Sequence, residues 1–182
     1  MKVIIGAGET NQSGWRSTQE DELDVLDRSS WGKQFELASI DALLAEHVWE
    51  HMSLEDGIKA AKNCYDYLKP GGYIRCAVPD GNFANDWYQN ITQVGGPGPK
   101  DHPAASHKIV YDYEQFVHVF ERAGFRVELL EYCDHEGIFH YNYWNADDGR
   151  IGRSLRFDTR NSVDKLGMVS IIIDAKVDLL IR

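Results

Sequence analysis

The run from Leu68 to Asp80, Leu-Lys-Pro-Gly-Gly-Tyr-Ile-Arg-Cys-Ala-Val-Pro-Asp, constrains the fold more than any other part of the chain. A segment with apolar residues at helical spacing leads into it, at Ile58, Ala61, Tyr65 and Leu68. Pro70 and the two glycines after it are typical of a helix end. The apolar run over residues 73–78 then has the length and bounds of a buried strand. The pattern predicts a helix, a sharp break and a strand that ends at Pro79-Asp80.

Strand and helix patterns alternate along most of the chain. Ser53 and Asp56 form a capping box at the start of the helix above, and Asp112 to Gly124 bound a second helix. Apolar runs predict further strands at residues 2–5, 15–19, 23–27, 40–45, 125–129 and 169–173. This order predicts an α/β fold, a doubly wound, mostly parallel Rossmann-like sheet. No helix pattern joins the last two strands, so they are expected to form a C-terminal antiparallel pair.

Composition bounds the class of protein. The 182 residues fit one domain, residues 1–182, with irregular loops expected at 81–110 and 133–163. A net charge of −10 disfavours nucleic acid as a partner, and no apolar run has the length of a membrane span. The three cysteines lack CxxC spacing, and Cys64 in a predicted helix and Cys76 in a predicted strand are expected to be buried thiols. We therefore expect a soluble, cytoplasmic protein.

Gly6-Ala7-Gly8 directly follows the apolar strand Val3-Ile4-Ile5 at the start of the chain. Glycine at the end of a parallel strand allows a ligand to approach the backbone closely, although a short GxG also occurs in tight turns. A dinucleotide fingerprint needs a third glycine at position 11, where this chain has asparagine, so NAD and FAD are disfavoured.

With these two motifs, the chain resembles the class I S-adenosylmethionine (SAM) methyltransferases over nearly its whole length. It is most similar to compact bacterial members with a Gly-x-Gly…Gly-Trp start, in which little or no helix follows the glycine motif. The resemblance implies a Rossmann-like sheet, SAM as the cofactor, and methyl transfer to a small-molecule acceptor that the sequence does not identify.

The resemblance also implies a set of cofactor-binding residues. Gly6, Ala7 and Gly8 would contact the methionine part of SAM. Gln19 stands where the family usually has an acid for the ribose hydroxyls, and Glu20 or Asp21 would supply that acid if the register differs by one or two. The remaining candidates are Asp27, either near the adenine or as a helix N-cap or turn residue, and Ala45 with Glu46, which would line the pocket.

The candidate general base is His107, chosen because histidine titrates near neutral pH. Other candidates are His102, His135, His140 and Asp80. The spacings Glu46/His51 and His47/His51 lack a third ligand nearby, so no metal site is predicted. The two loops, or a second copy of the chain in a homodimer, would cover the cofactor site.

Two other interpretations stay open. A degenerate methyltransferase that binds without catalysis is favoured by Gln19 and by the short first connection. A nucleotide-sugar or NAD-dependent enzyme on a related sheet lacks its phosphate fingerprint.

Overall fold

The computed structural model describes residues 1–179 of the chain. The strands are β1 (Lys2–Ile5), β2 (Trp15–Ser17), β3 (Ile40–Glu46), β4 (Leu68–Pro79), β5 (Arg126–Cys133), β6 (Phe139–Tyr141) and β7 (Ser170–Lys176). The α-helices are α1 (Arg28–Gln34), α2 (Leu54–Tyr67), α3 (Asp86–Thr92) and α4 (Tyr113–Ala123). Short 3-10 turns lie at Trp49–His51, Pro103–Ser106 and Ala146–Asp148. Within residues 1–179, none of the helices has the length and apolar character needed to cross a bilayer.

All seven strands form one sheet in the order β2-β1-β3-β4-β7-β5-β6. The pairs β1–β2, β1–β3 and β3–β4 are parallel, whereas β7 is antiparallel to both β4 and β5. The predicted Rossmann-like sheet and its antiparallel C-terminal pair are confirmed. The chain winds one way from β1 to β2 and the other way from β3 to β4, so the winding reverses between β1 and β3. Doubly wound folds bind their ligands at this kind of reversal.

The two faces of the sheet are covered differently. Helices α1, α2 and α4 pack on one face, where Trp31, Cys64 and Phe116 are fully buried. The opposite face is covered by residues 142–169, named here the cover segment, through Trp144 and Ile151. No α-helix within residues 1–179 contributes to that second cluster.

The strand predicted at residues 23–27 is wrong. Leu23 and Val25 are buried, but the backbone there forms turns that lead into α1. Asp27 is the N-cap of α1, and its side chain accepts a hydrogen bond from the Ser29 N–H. Apolar and acidic residues alternate here as they would in a strand. The apolar side chains are nevertheless buried by a chain that runs in turns. The helix N-cap that the sequence allowed for Asp27 is confirmed.

The sequence predicts that Pro70-Gly71-Gly72 ends the helix, and this is wrong. The three residues lie inside β4. Helix α2 stops at Tyr67, and β4 begins at once at Leu68. The register between β3 and β4 shifts between Ile40 and Ala42, which makes room for the glycines as an irregularity of the strand. A Cβ at Gly72 would lie 2.9 Å from the Lys69 carbonyl oxygen, so glycine is required there.

The two predicted loops contain more order than their composition indicated. Helix α3 lies within residues 81–110, with Asn85 as its N-cap accepting from the Tyr88 N–H. Strand β6 lies within residues 133–163 and pairs antiparallel with β5 at the edge of the sheet. Both elements are short, with seven and three residues, and such lengths give weak periodic patterns.

A buried ion pair joins β4 to β7. The Arg75 guanidinium is 2% exposed and donates from Nε and Nη2 to the two carboxylate oxygens of Asp174, at 2.7 and 2.8 Å. Arg75 Nη1 also donates to the carbonyls of Asn145 and Gly149, both at 2.8 Å. One side chain therefore fixes the centre of the sheet and the start of the cover segment.

We expect Asp174→Ala to lower the free energy of unfolding by about 3–5 kcal/mol, because it leaves the Arg75 charge buried without its counter-charge. Urea denaturation followed by circular dichroism measures this change. The matched control is Lys69→Ala, which removes an ion pair to Asp41 that is nearly half exposed and should cost about 0–1 kcal/mol. Equal effects of the two substitutions would contradict the role given to Arg75.

Candidate functional site

A cleft of about 550 Å³ opens at the carboxyl ends of β1 and β3, where the winding of the sheet reverses. We name it the main cleft. Its lining residues come from both strand ends, from the segment after β3 and from the two irregular regions: Gly6, Ala7, Gly8, Glu9, Thr10, Glu46, His47, Glu50, His51, Pro103, His107 and Arg153. The volume lies in the range of small-molecule sites in proteins.

The glycine motif forms the end of the cleft next to β1. Gly6 and Gly8 have φ angles of +56° and +53°, a left-handed conformation that side chains with a Cβ rarely adopt. A Cβ on Gly6 would lie 3.0 Å from Val48, whereas one on Gly8 would meet nothing within 4 Å. The Ala7 N–H donates to the Thr18 carbonyl at 2.9 Å and fixes the loop to the chain after β2. Residues 6–14 contain no helix, as the short connection predicts.

Gln19 supports the glycine loop. Its Oε1 accepts from the Gly8 N–H at 3.1 Å, and its Nε2 donates to the Gly8 carbonyl at 2.9 Å. Gln19 is not among the lining residues of the main cleft and borders a shallow depression with Glu20, Asp21 and Asp24. The residue therefore lies beside the predicted cofactor loop, with both polar atoms of its amide engaged.

Glu46 lines the cleft and is held by the cover segment. Its carboxylate oxygens accept from the backbone N–H groups of Gly152 and Arg153, at 2.9 and 2.8 Å. The Arg153 guanidinium lies 3.6 Å from the same carboxylate. These contacts fix one wall of the cleft.

Two of the predicted cofactor residues lie elsewhere. Ala45 is fully buried in the core beneath the helices, because successive side chains of a strand point to opposite faces. Asp27 is exposed at the start of α1, where it caps the helix. Neither residue lines the main cleft.

His107, the predicted base, lies in the cleft and is 8% exposed. Its Nδ1 is 2.8 Å from the Thr92 carbonyl, which can only accept, so Nδ1 carries the proton. Burial lowers the pKa of His107 and outweighs the opposing effects of this hydrogen bond and of Glu50. The imidazole is therefore neutral at neutral pH, with a bare lone pair on Nε2.

Glu50 lies beside His107 at the base of the cleft and is 1% exposed. His47 Nδ1 is 3.2 Å from Glu50 Oε1, and His107 Nε2 is 3.9 Å from the same oxygen. Burial acts to raise the pKa of Glu50, but the neighbouring imidazoles, His47 above all, outweigh it and hold the pKa below its usual range. Glu50 is therefore a buried carboxylate surrounded by histidines.

The other candidate bases lie outside the lining of the main cleft. Asp80 is fully buried, and its carboxylate accepts from the N–H groups of Cys133 and Asn82. His102 accepts from the Ala104 N–H at the start of a 3-10 turn. His135 and His140 pair with nearby carboxylates of Glu114 and Asp134.

A second pocket of about 320 Å³ adjoins the main cleft. We name it the side pocket. It shares Gly6, His47 and His51 with the main cleft and is otherwise mainly apolar, with Leu23, Val25, Leu26, Val48 and Met52 in its wall. Glu20 and Asp24 add carboxylates to this wall. The pair of pockets thus offers an apolar compartment beside a polar one.

Sequence reasoning missed Glu50 and Arg153, and it named His51 neither as a base nor as a metal ligand. The 3-10 turn at Trp49–His51 brings Glu50 and His51 back into the cleft. The sequence signal was the repeated Glu-His pair, Glu46-His47 and Glu50-His51, four residues apart. Arg153 lies in an irregular segment and carries no such signal.

Comparison with known proteins agrees with this architecture. A family model described as a methyltransferase domain matches residues 6–130. A search of curated proteins found no match.

Solved structures with the same fold include a SAM-dependent methyltransferase from Archaeoglobus fulgidus, with a TM-score of 0.54, 16% identity, and coverage of 96% of this chain and 85% of that one. A SAM-dependent methyltransferase from Methanosarcina mazei has a TM-score of 0.53 at 12% identity, covering 98% and 92%. A Thermotoga maritima protein described as a SAM-dependent methyltransferase and possible histamine N-methyltransferase has a TM-score of 0.52 at 15% identity, covering 96% and 81%.

The chain thus has the fold of the SAM-dependent methyltransferases. Because the family model matches more than half of its residues, the chain belongs to the methyltransferase-domain family, as the sequence resemblance predicts.

We expect Glu46→Gln to loosen the cover segment. Both Glu46 oxygens accept hydrogen bonds from backbone N–H groups, and glutamine replaces one of these oxygens with an NH₂ group that cannot accept. The loss of one hydrogen bond to this largely buried carboxylate, about 1–3 kcal/mol, corresponds to amide exchange at Gly152 and Arg153 that is roughly fivefold to 150-fold faster. Hydrogen exchange followed by mass spectrometry measures it.

The matched control for this substitution is Glu128→Gln, which alters a half-exposed carboxylate paired with Lys176. It should leave exchange in the cover segment unchanged. Unchanged exchange at residues 150–154 in Glu46→Gln would show that the cover segment does not depend on Glu46.

Proposed function

We propose that the protein transfers a methyl group from SAM to a small-molecule acceptor in the main cleft. The observation that carries this proposal is the position of the glycine loop, the side pocket and the histidines of the main cleft at one reversal point of the sheet. Family membership and the fold of its structural neighbours support the same reaction class.

The residues present fit SAM. The backbone of Gly6, Ala7 and Gly8 is open to the cleft and would hold the methionine part. The side pocket, with apolar walls and the carboxylates of Glu20 and Asp24, has the chemistry that a base and a ribose require. Because Gln19 is engaged by Gly8, we assign the ribose to these carboxylates and give Gln19 the task of shaping the loop. SAM supplies a methyl group on a positively charged sulfonium.

The chain contributes alignment and exclusion of water. Glu46, held by the cover segment, forms one wall, and Pro103 and His107 form another. These walls come from the chain itself, so the site does not need a second copy of the chain to complete it. We propose His107 as the catalytic residue, because its bare Nε2 offers a lone pair for the proton of the acceptor or for an ion that contacts the acceptor.

The size and charge of the cleft favour a small acceptor over nucleic acid. The chain carries a net charge of −10, and Glu9, Glu46 and Glu50 add three carboxylates to the lining against one arginine. A phosphate backbone would be repelled by such a surface. The three described cysteines are free and buried, which supports the cytoplasm as the site of action.

A degenerate methyltransferase that binds without catalysis is the second candidate. The observation in its favour is Gln19, which stands where related methyltransferases usually have an acidic residue. Both polar atoms of its side chain are hydrogen-bonded to the backbone of Gly8. Loss of cofactor binding in the isolated protein would favour this candidate.

We expect S-adenosylhomocysteine to bind the purified protein with a Kd in the micromolar range, about −8 kcal/mol, as measured by isothermal titration calorimetry. Gly8→Ala should weaken this binding at least about tenfold, because its Cβ would occupy the space through which the cofactor approaches the backbone.

The matched control is Gly14→Ala. Gly14 has φ +80°, and its Cβ also meets nothing within 4 Å, but it does not line the main cleft. Both variants thus carry similar backbone strain, and only Gly8→Ala should lose affinity. No binding of S-adenosylhomocysteine up to millimolar concentration would overturn the proposed function of the isolated chain.

A further inference from the structure

Glu50 is a buried carboxylate without hydrogen-bond partners among the described residues. Within residues 1–179, neither of its carboxylate oxygens accepts a hydrogen bond, although the side chain is 1% exposed. His47 Nδ1 lies 3.2 Å from Oε1, but without the geometry of a hydrogen bond. A buried carboxylate in this state is costly unless a cation satisfies it.

Two further donor groups converge on Glu50. His51 follows it in the 3-10 turn, and His107 comes from the other side of the cleft after the turn at Pro103–Ser106. One ligand atom from each of Glu50, His51 and His107 lies within 4.8 Å of the others. The folded chain thus supplies the third ligand that the sequence spacing lacked.

The outer nitrogens of both histidines are already engaged. His107 donates from Nδ1 to the Thr92 carbonyl at 2.8 Å, and His51 Nδ1 lies 2.8 Å from the Ser106 hydroxyl. Each ring is therefore held by its Nδ1, and its Nε2 remains available to bind a metal ion. Histidines that bind metals are typically held in this way, with the second ring nitrogen bonded to a carbonyl or another polar group.

We propose that Glu50, His51 and His107, the metal triad, bind one divalent transition-metal ion at the base of the main cleft. Two imidazoles and one carboxylate are ligands suited to Zn²⁺, Mn²⁺, Fe²⁺ or Co²⁺. With bonds of about 2.1 Å at tetrahedral angles, ligand atoms on one ion are about 3.4 Å apart, so the ligand atoms of the triad, now within 4.8 Å of one another, draw together by up to about 1.4 Å on binding.

A metal ion at this position has a direct consequence for the acceptor. Three protein ligands leave coordination positions open toward the cleft, where an acceptor oxygen can bind. A divalent ion lowers the pKa of a hydroxyl group that it contacts, so the acceptor class becomes an alcohol or a phenol. The assignment of the acceptor class rests on the proposed function. With an ion bound, His107 acts as a metal ligand rather than as the direct base.

The test is a titration of chelator-treated full-length protein with Co²⁺, followed by its visible absorption, and with Zn²⁺ by calorimetry. We expect one ion per chain with a Kd in the micromolar range or tighter. A hundredfold excess of Zn²⁺ over Kd should raise the Tm by roughly 5–10 °C. Absence of binding up to millimolar metal overturns the proposal.

His51→Ala and His107→Ala should each weaken metal binding at least about a hundredfold, while His135→Ala, at an exposed histidine beside Glu114, should leave it unchanged. Binding that survives in both triad variants overturns the assignment. His51→Cys guards against variants that fail to fold. Its Co²⁺ form should gain a sulfur-to-metal charge-transfer band in the near ultraviolet, and a folded, Co²⁺-binding protein without this band also overturns it.

Titration of S-adenosylhomocysteine into metal-free and metal-loaded protein separates this proposal from the proposed function. Cofactor binding without any metal binding overturns the metal triad alone. Metal binding without cofactor binding supports the triad and overturns the methyltransferase function.

Discussion

The structure depends on one buried guanidinium. Arg75 lies at the centre of the sheet, where it neutralises Asp174 on β7 and holds the carbonyls of Asn145 and Gly149. These carbonyls begin the cover segment, which takes the place of helices on the second face of the sheet. The same segment supplies the N–H groups of residues 152 and 153 that hold Glu46. The shape of the main cleft thus follows, through a continuous series of polar contacts, from a charge buried between two strands.

Much of the fold could be predicted from the sequence, because several strands are nearly continuous apolar runs and two helices have clear caps. β1, β3 and β7 and the helices with clear caps, α2 and α4, were of this kind. The failures have a common physical reason, which is that short elements give little periodic signal. Residues 23–27 bury Leu23 and Val25 from turns, and the same alternation of side chains would suit a strand. Pro70-Gly71-Gly72 is an interruption in most contexts, but here a shift of strand register absorbs it within β4.

The site could be predicted where it depends on the backbone of a strand end and not where it depends on distant contacts. The end of the first strand predicts Gly6, Ala7 and Gly8, the family resemblance adds Glu46, and in the structure all four line one cleft. His107 also lies there, although composition alone could not separate it from His102, His135 and His140. The environment of Glu50 depends on a 3-10 turn and on a histidine more than fifty residues away. Linear spacing cannot show such a meeting. Ala45, expected to line the pocket, lies in the core beneath the helices, because the face of a strand residue is set by the tertiary fold.

The anchoring of the cover segment has a consequence for how this protein can diversify. Arg75 donates hydrogen bonds to carbonyl groups of the segment, and Glu46 accepts hydrogen bonds from its N–H groups. Glu131 accepts a hydrogen bond from the Leu155 N–H at 2.8 Å. Every residue except proline offers such main-chain groups, so these anchors do not dictate which side chains the segment carries. Outside buried side chains such as Trp144 and Ile151, its sequence can change while its path over the sheet is retained. The family model ends at residue 130, twelve residues before this segment begins.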